Sequence, residues 1–81
     1  MSLGNVNVSI DPDADAAYVA ISGAEVAQTE EVADGIMVDY AADGRPVGME
    51  ILSVKSRVGT SDQRSYLLGL VEGVLSRQAA E

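Results

Sequence analysis

The sequence predicts an α+β domain: an antiparallel β-meander of about four strands, with one C-terminal amphipathic helix packed on one face. Two observations carry this. Between Asn5 and Leu52 apolar residues recur at a period of two, punctuated by acidic turn signals. Beyond residue 60 the period lengthens to three and four, the mark of a helix with one apolar stripe. A sheet and a helix that each have one apolar side bury those sides against each other.

Val6, Val8 and Ile10 alternate with Asn5, Asn7 and Ser9, which is a half-buried first strand. Asp11-Pro12-Asp13-Ala14-Asp15 ends it. Pro12 presets φ for the first central position of a turn, and aspartates there bond nearby backbone. In the next strand Ala17, Val19 and Ile21 share one face, with Ala16, Tyr18 and Ala20 opposite. Ser22-Gly23-Ala24 is a second turn. Residues 25–33 alternate poorly, which predicts a loop and then an irregular or bulged strand from near Thr29. Asp34-Gly35 is either a bulge in that strand or a tight turn.

Ile36, Val38 and Tyr40 then share a face, with Met37 and Asp39 on the other. The Asp43-Gly44 turn leads to Val47, Met49 and Ile51, which alternate with Gly48, Glu50 and Leu52. Centring that turn pairs Ala42 with Arg45. Counting outward sets Asp39 opposite Gly48 and Glu50 opposite Met37. Pro46 must lie where the ladder needs no N–H. Thr60 to Gln63 has the spacing of a capping box, with Ser61 as the competing N-cap. Leu67, Leu70, Val71, Val74 and Leu75 define a helix from about Ser61 to Gln78, its polar face carrying Arg64, Glu72, Ser76 and Gln78.

The 81 residues make one domain, with residues 5–54 forming the sheet and 55–81 a linker and the helix. Met1-Ser2-Leu3 ahead of Gly4 reads as a vector remnant or a disordered start, so residues 1–4 carry no structural weight. Cysteine and histidine are both absent. That removes disulfides, thiolate metal sites, the commonest general base and the commonest zinc ligand. No apolar run approaches the ~18 residues of a membrane span, so a cytoplasmic protein with no membrane contact is expected.

The net charge of −8 is unevenly placed. Residues 1–44 hold Asp11, Asp13, Asp15, Glu25, Glu30, Glu31, Asp34, Asp39 and Asp43 and no Lys or Arg. Arg45, Lys55, Arg57, Arg64 and Arg77 all follow. Such a sheet half repels nucleic acid; it reads first as an acidic solvated surface that aids solubility, and in the sharper reading as a face complementary to a basic protein partner.

Two acidic constellations are candidates for chemistry. Asp11, Asp13 and Asp15 match the first three ligand positions of a calcium loop, but Ala16 stands where the turn needs Gly and Ser22 where a bidentate Glu belongs. They are weak metal candidates, and local turn bonds explain them better. Asp39 and Glu50 fall diagonally on one hairpin face, the arrangement of an acid/base pair. No nucleophile, His or phosphate-cradling loop accompanies them, so a solvated face, or one paired with Lys55 or Arg57, is expected. No catalytic residue, metal or cofactor is assigned. In the helix, Ser65, Gly69 and Gly73 recur every four residues. Gly costs about 1 kcal/mol against Ala inside a helix, which points to close approach of its backbone to the sheet or to a second helix. With Tyr66, Gly69 and Gly73 form the expected interface of a homodimer.

Ile10 to Leu52 resembles a small family catalogued as domain of unknown function 2283. The resemblance rests on Asp11-Pro12-Asp13-Ala14-Asp15-Ala16-Ala17-Tyr18-Val19, on Glu31-Val32-Ala33-Asp34-Gly35-Ile36-Met37-Val38-Asp39-Tyr40, and on Gly48-Met49-Glu50-Ile51-Leu52. Ala41-Ala42 departs from the usual acidic turn, and Ala17 is small where a larger aliphatic is common. The resemblance implies fold and bacterial origin. It does not imply an activity, although some relatives resemble neighbours of toxin-type genes, which would suit an antitoxin-like role. The expected function is therefore a non-enzymatic protein–protein interaction module. The alternative is a divalent-cation-dependent sensor or enzyme using Asp11/Asp13/Asp15 or Asp39/Glu50.

Overall fold

The computed structural model describes residues 6–60 and 62–79, with side chains as far as Ser76. The readings of residues 1–4 as a remnant, of Asn5 in the first strand and of Ser61 as an N-cap lie outside those residues. So does the placing of Gln78 on a polar face. Five strands form one sheet: β1 (Asn7–Asp11), β2 (Ala16–Ala20), β3 (Gln28–Ala33), β4 (Ile36–Tyr40) and β5 (Pro46–Leu52). Two helices follow, α1 (Val54–Val58) and α2 (Gln63–Ala79).

Neighbouring strands are antiparallel and run in the order β1-β2-β5-β4-β3. A strict meander would set β3 beside β2. Instead the link from Ile21 to Ala27 carries the chain to the far edge, and β5 returns to fill the gap. In β5, Pro46, Val47, Gly48 and Met49 are all buried in succession, so both of its faces lie against neighbouring groups.

Asp34-Gly35 is a tight turn between β3 and β4, with Gly35 at φ +76°, and the bulge falls earlier, between Glu31 and Ala33. In the β4–β5 hairpin Asp39 opposes Gly48 and Met37 opposes Glu50, as the turn count predicts. Nearer the tip the count slips by one: Tyr40 opposes Pro46, and the Ala41 N–H donates to the Arg45 carbonyl at 2.9 Å. That irregularity accommodates Pro46, which has no N–H to give the ladder.

Alternation sends Ala17, Val19, Ile36, Val38, Met49 and Ile51 to one face, where Val54 and Val58 of α1 and Leu67 and Val71 of α2 join them in the core. Both helices therefore cover the Ile36/Val38 face, and among the described residues no element covers the Met37/Asp39 face. Helix α1 falls in the stretch expected to be a linker, too short for a periodic signal. Its N-terminus is capped from elsewhere in the chain: the Val54 N–H donates to the Asp15 carbonyl and the Lys55 N–H to Asp15 Oδ1, both at 3.0 Å. Helix α2 begins later than predicted. Asp62, not Thr60, supplies its cap, accepting the Ser65 N–H on Oδ2 at 2.9 Å. That backbone bond first, then the Ser65 side chain and nearby Arg64, hold the Asp62 carboxyl below its ordinary range.

Candidate functional site: the uncovered face of the sheet

Two rows of side chains cross the uncovered face. One runs Ser9, Tyr18, Glu50, Met37 and Glu31, and the next runs Asn7, Ala20, Gly48, Asp39 and Thr29. Tyr18 ties them together. Its side chain leans diagonally from β2 across Gly48, and its hydroxyl donates to Asp39 Oδ2 on β4 at 2.8 Å. Thr29 Oγ1 on β3 donates to the other carboxylate oxygen, Asp39 Oδ1, at 2.6 Å. Four adjacent strands are thus linked through one carboxylate and one glycine.

Gly48 is the condition for this arrangement. A Cβ built there would overlap the Tyr18 hydroxyl and the ring carbon that bears it. A glycine inside a strand marks close approach of another group, here an aromatic ring.

The chemistry of the face follows. Tyr18 is pushed from 10.0 up to about 12, first by burial, then by its hydrogen bond to Asp39 and the negative charges of Asp39 and Glu50. At neutral pH its oxygen is a hydrogen-bond donor rather than a base or nucleophile. Asp39 is committed at both oxygens, whereas Glu50 is exposed. Neither expected cation reaches these acids. Arg57 donates from Nε to the Leu52 carbonyl at 2.6 Å and through its guanidinium to the Asp34 carbonyl, fastening the β3–β4 turn to the end of β5. Lys55 lies in α1, which packs on the opposite side. The ion pair present among the described residues is Arg45 with Asp43 at the hairpin tip, 3.8 Å apart and well exposed.

The three aspartates of the first turn are drawn apart by backbone groups. Asp11 Oδ1 accepts the N–H groups of Asp13 and Ala14 at 3.1 and 3.2 Å, a local turn bond. Asp15, at φ +53°, aims its carboxylate at α1 instead of at Asp11. Among the described residues no three acidic, His or Cys side chains gather as a metal-binding group. On α2, Gly69 and Gly73 are exposed and a Cβ at either meets nothing within 4 Å. The sheet is therefore not what these glycines approach. Tyr66 packs at the core margin.

Sequence reasoning found Asp39, Glu50 and their register but missed Tyr18 and Thr29 as their companions. The available signal was Gly48, an interior strand glycine already counted opposite Asp39.

A family model described as "Protein of unknown function (DUF2283)" matches residues 7–55, from the start of β1 into α1. Tyr18, Asp39, Gly48, Glu50 and Asp15 all lie within the matched stretch, and α2 lies outside it. No curated protein and no solved structure matches the chain. No helix among the described residues is long and apolar enough to cross a membrane.

Proposed function

The chain belongs to the family of proteins of unknown function DUF2283, and from that premise we propose that it is a non-enzymatic protein-binding module whose uncovered sheet face receives a basic partner. One observation carries the reading. None of the five strands contains a Lys or Arg, and the uncovered face sets Glu31, Asp39 and Glu50 around Tyr18 and Met37. Tyrosine and methionine are favoured at protein interfaces, and unopposed carboxylates steer a cationic surface toward them. A network that keeps Tyr18 protonated and both Asp39 oxygens occupied makes a rigid, preorganised surface, which lowers the cost of binding. An antitoxin-like role is the specific form of this reading: an acidic face that masks a basic effector.

Affinity capture from a bacterial lysate at low and high salt tests it, with Glu50→Lys as the comparison. Glu50 is exposed and takes no part in the Tyr18–Asp39 bond, so the variant keeps the fold. The expected result is a basic partner that dissociates as salt rises, because exposed charges are screened beyond ~8–10 Å at physiological ionic strength. It should also be lost on Glu50→Lys. Recovery of only acidic or salt-insensitive partners overturns the reading.

A further inference from the structure

We infer that the edge of β1 that no described strand pairs with joins β1 of a second copy of this chain, antiparallel about a two-fold axis at Ser9, so that two five-stranded sheets meet edge to edge. The two outer strands of the sheet are built differently. β3 carries Glu30 and Glu31 and a bulge before Ala33, and charge and irregularity are how natural edges avoid further pairing. β1 has neither. All five of its residues pair with β2 in unbroken register, from Asn7 with Ala20 to Asp11 with Ala16. It contains no Lys and no Pro, its one charge is Asp11 at the very end, and four of its five residues are exposed.

The backbone geometry says which groups remain free. The Ile21 N–H donates to the Val47 carbonyl at 2.8 Å, so the odd-numbered residues of β2 bond toward β5. Bonding direction alternates along an antiparallel strand, so Ala16, Tyr18 and Ala20 bond toward β1 and meet Asp11, Ser9 and Asn7. The N–H and C=O groups of Val8 and Ile10 therefore point out of the sheet. An axis at Ser9 sets Val8 against the partner's Ile10. That pair exchanges both of its hydrogen bonds, and symmetry repeats the exchange.

The side chains are self-complementary in the same register. Ile10 is 43% exposed although it faces the core side, and pairing lays it beside the partner's Val8. On the other side of the sheet Asn7 meets the partner's Asp11. Asp11 Oδ1 is engaged by its own turn, so the Asn7 amide has Oδ2 to donate to. Moving the axis to Ile10 brings the two Asp11 carboxylates closer, and moving it to Val8 takes Asp11 away from Asn7. The polar-apolar-polar-apolar-acid order of Asn7 to Asp11 is thus its own complement about Ser9, which favours a second copy over an unrelated strand. The proposal does not rest on the basic-partner reading; dimerisation would place two acidic faces side by side.

Light scattering after size exclusion, at tens of micromolar, tests it on the full chain. The expected mass is twice 8.4 kDa. Val8→Pro removes an outward N–H without touching a bond to β2, and Ile10→Lys puts a charge into the new ladder. Both should return the mass to 8.4 kDa with the far-ultraviolet spectrum unchanged. Should the proline variant unfold, Ile10→Lys decides alone. In the wild type, exchange of the Val8 and Ile10 amides should slow as concentration rises. A wild type of 8.4 kDa, or a dimer that survives Ile10→Lys but is lost on Gly69→Leu, overturns the proposal, the second outcome in favour of an α2 interface.

Discussion

Asp15 caps a helix far along the chain, its Oδ1 accepting the N–H of Lys55, 40 residues later, while its own carbonyl accepts that of Val54. The N-cap position of α1 itself is Ser53, held at φ +57° with no side-chain cap bond, so the first turn of the helix depends on the β1–β2 turn. The short helix matters because Val54 and Val58 close one end of the core.

Asp15→Ala should therefore destabilise the protein by about 0.5–2 kcal/mol, the range for losing an N-cap acceptor. The same change also puts Ala at a positive φ, which adds to the loss. Asp15→Asn keeps an acceptor and tolerates that backbone region, so it should recover most of the difference. Urea denaturation of the three proteins checks the order.

Gly48→Ala should cost about 1–3 kcal/mol, the usual penalty for forcing atoms into a filled space. The three atoms nearest that Cβ all belong to Tyr18, so in a Tyr18→Ala background the same change should be much less costly. A double-mutant cycle by thermal unfolding reads this coupling directly. Equal cost in both backgrounds would show that the ring does not lie over Gly48.

Alkaline pH should weaken the fold through Tyr18. Its folded-state value lies near 12, above the 10.0 of an unhindered phenol. Below pH 10 both states hold the proton and the stabilisation is complete. Between 10 and 12 the unfolded chain releases the proton first, so stability falls as pH rises. Tyr18→Phe should flatten that part of the stability curve relative to wild type. Ultraviolet difference titration should also lose a phenolate step near 12 in the variant.

Calcium, magnesium and manganese should bind no more tightly than roughly millimolar, the weak end for loop carboxylates. Asp11 and Asp15 each spend an oxygen on backbone N–H groups, and they aim at different elements. Isothermal calorimetry is the measurement. Micromolar affinity that disappears with Asp13→Ala would revive the cation-dependent alternative.

Helix capping reports on acid as alkali reports on Tyr18. Asp62 has its carboxyl lowered by the Ser65 N–H it accepts, so its contribution to α2 is present above the unfolded value and declines as pH falls through the folded one. Asp62→Ala should remove that acid-side dependence while leaving the alkaline limb set by Tyr18 intact, as a pH series of thermal melts would show.

The sequence by itself determined what depends on near neighbours. Alternation at Val6 to Ile10, Ala16 to Ile21, Ile36 to Tyr40 and Val47 to Leu52 specified strands and their faces, because side chains on a strand repeat every two residues. Counting outward from the Asp43-Gly44 turn set Asp39 opposite Gly48 and Glu50 opposite Met37. The tip itself closes one position tighter, and the irregularity between Asp39 and Tyr40 restores that register, which the sequence did not show. What joins distant segments needed the tertiary structure. β5 lies between β2 and β4 and pairs with both, a choice of partners that no local window makes. Asp15 caps α1, Arg57 holds the Asp34-Gly35 turn, and Tyr18 reaches Asp39 across a glycine. Each of these bonds links residues far apart in the chain, and periodicity along a sequence carries no information about which ends of the sheet come together.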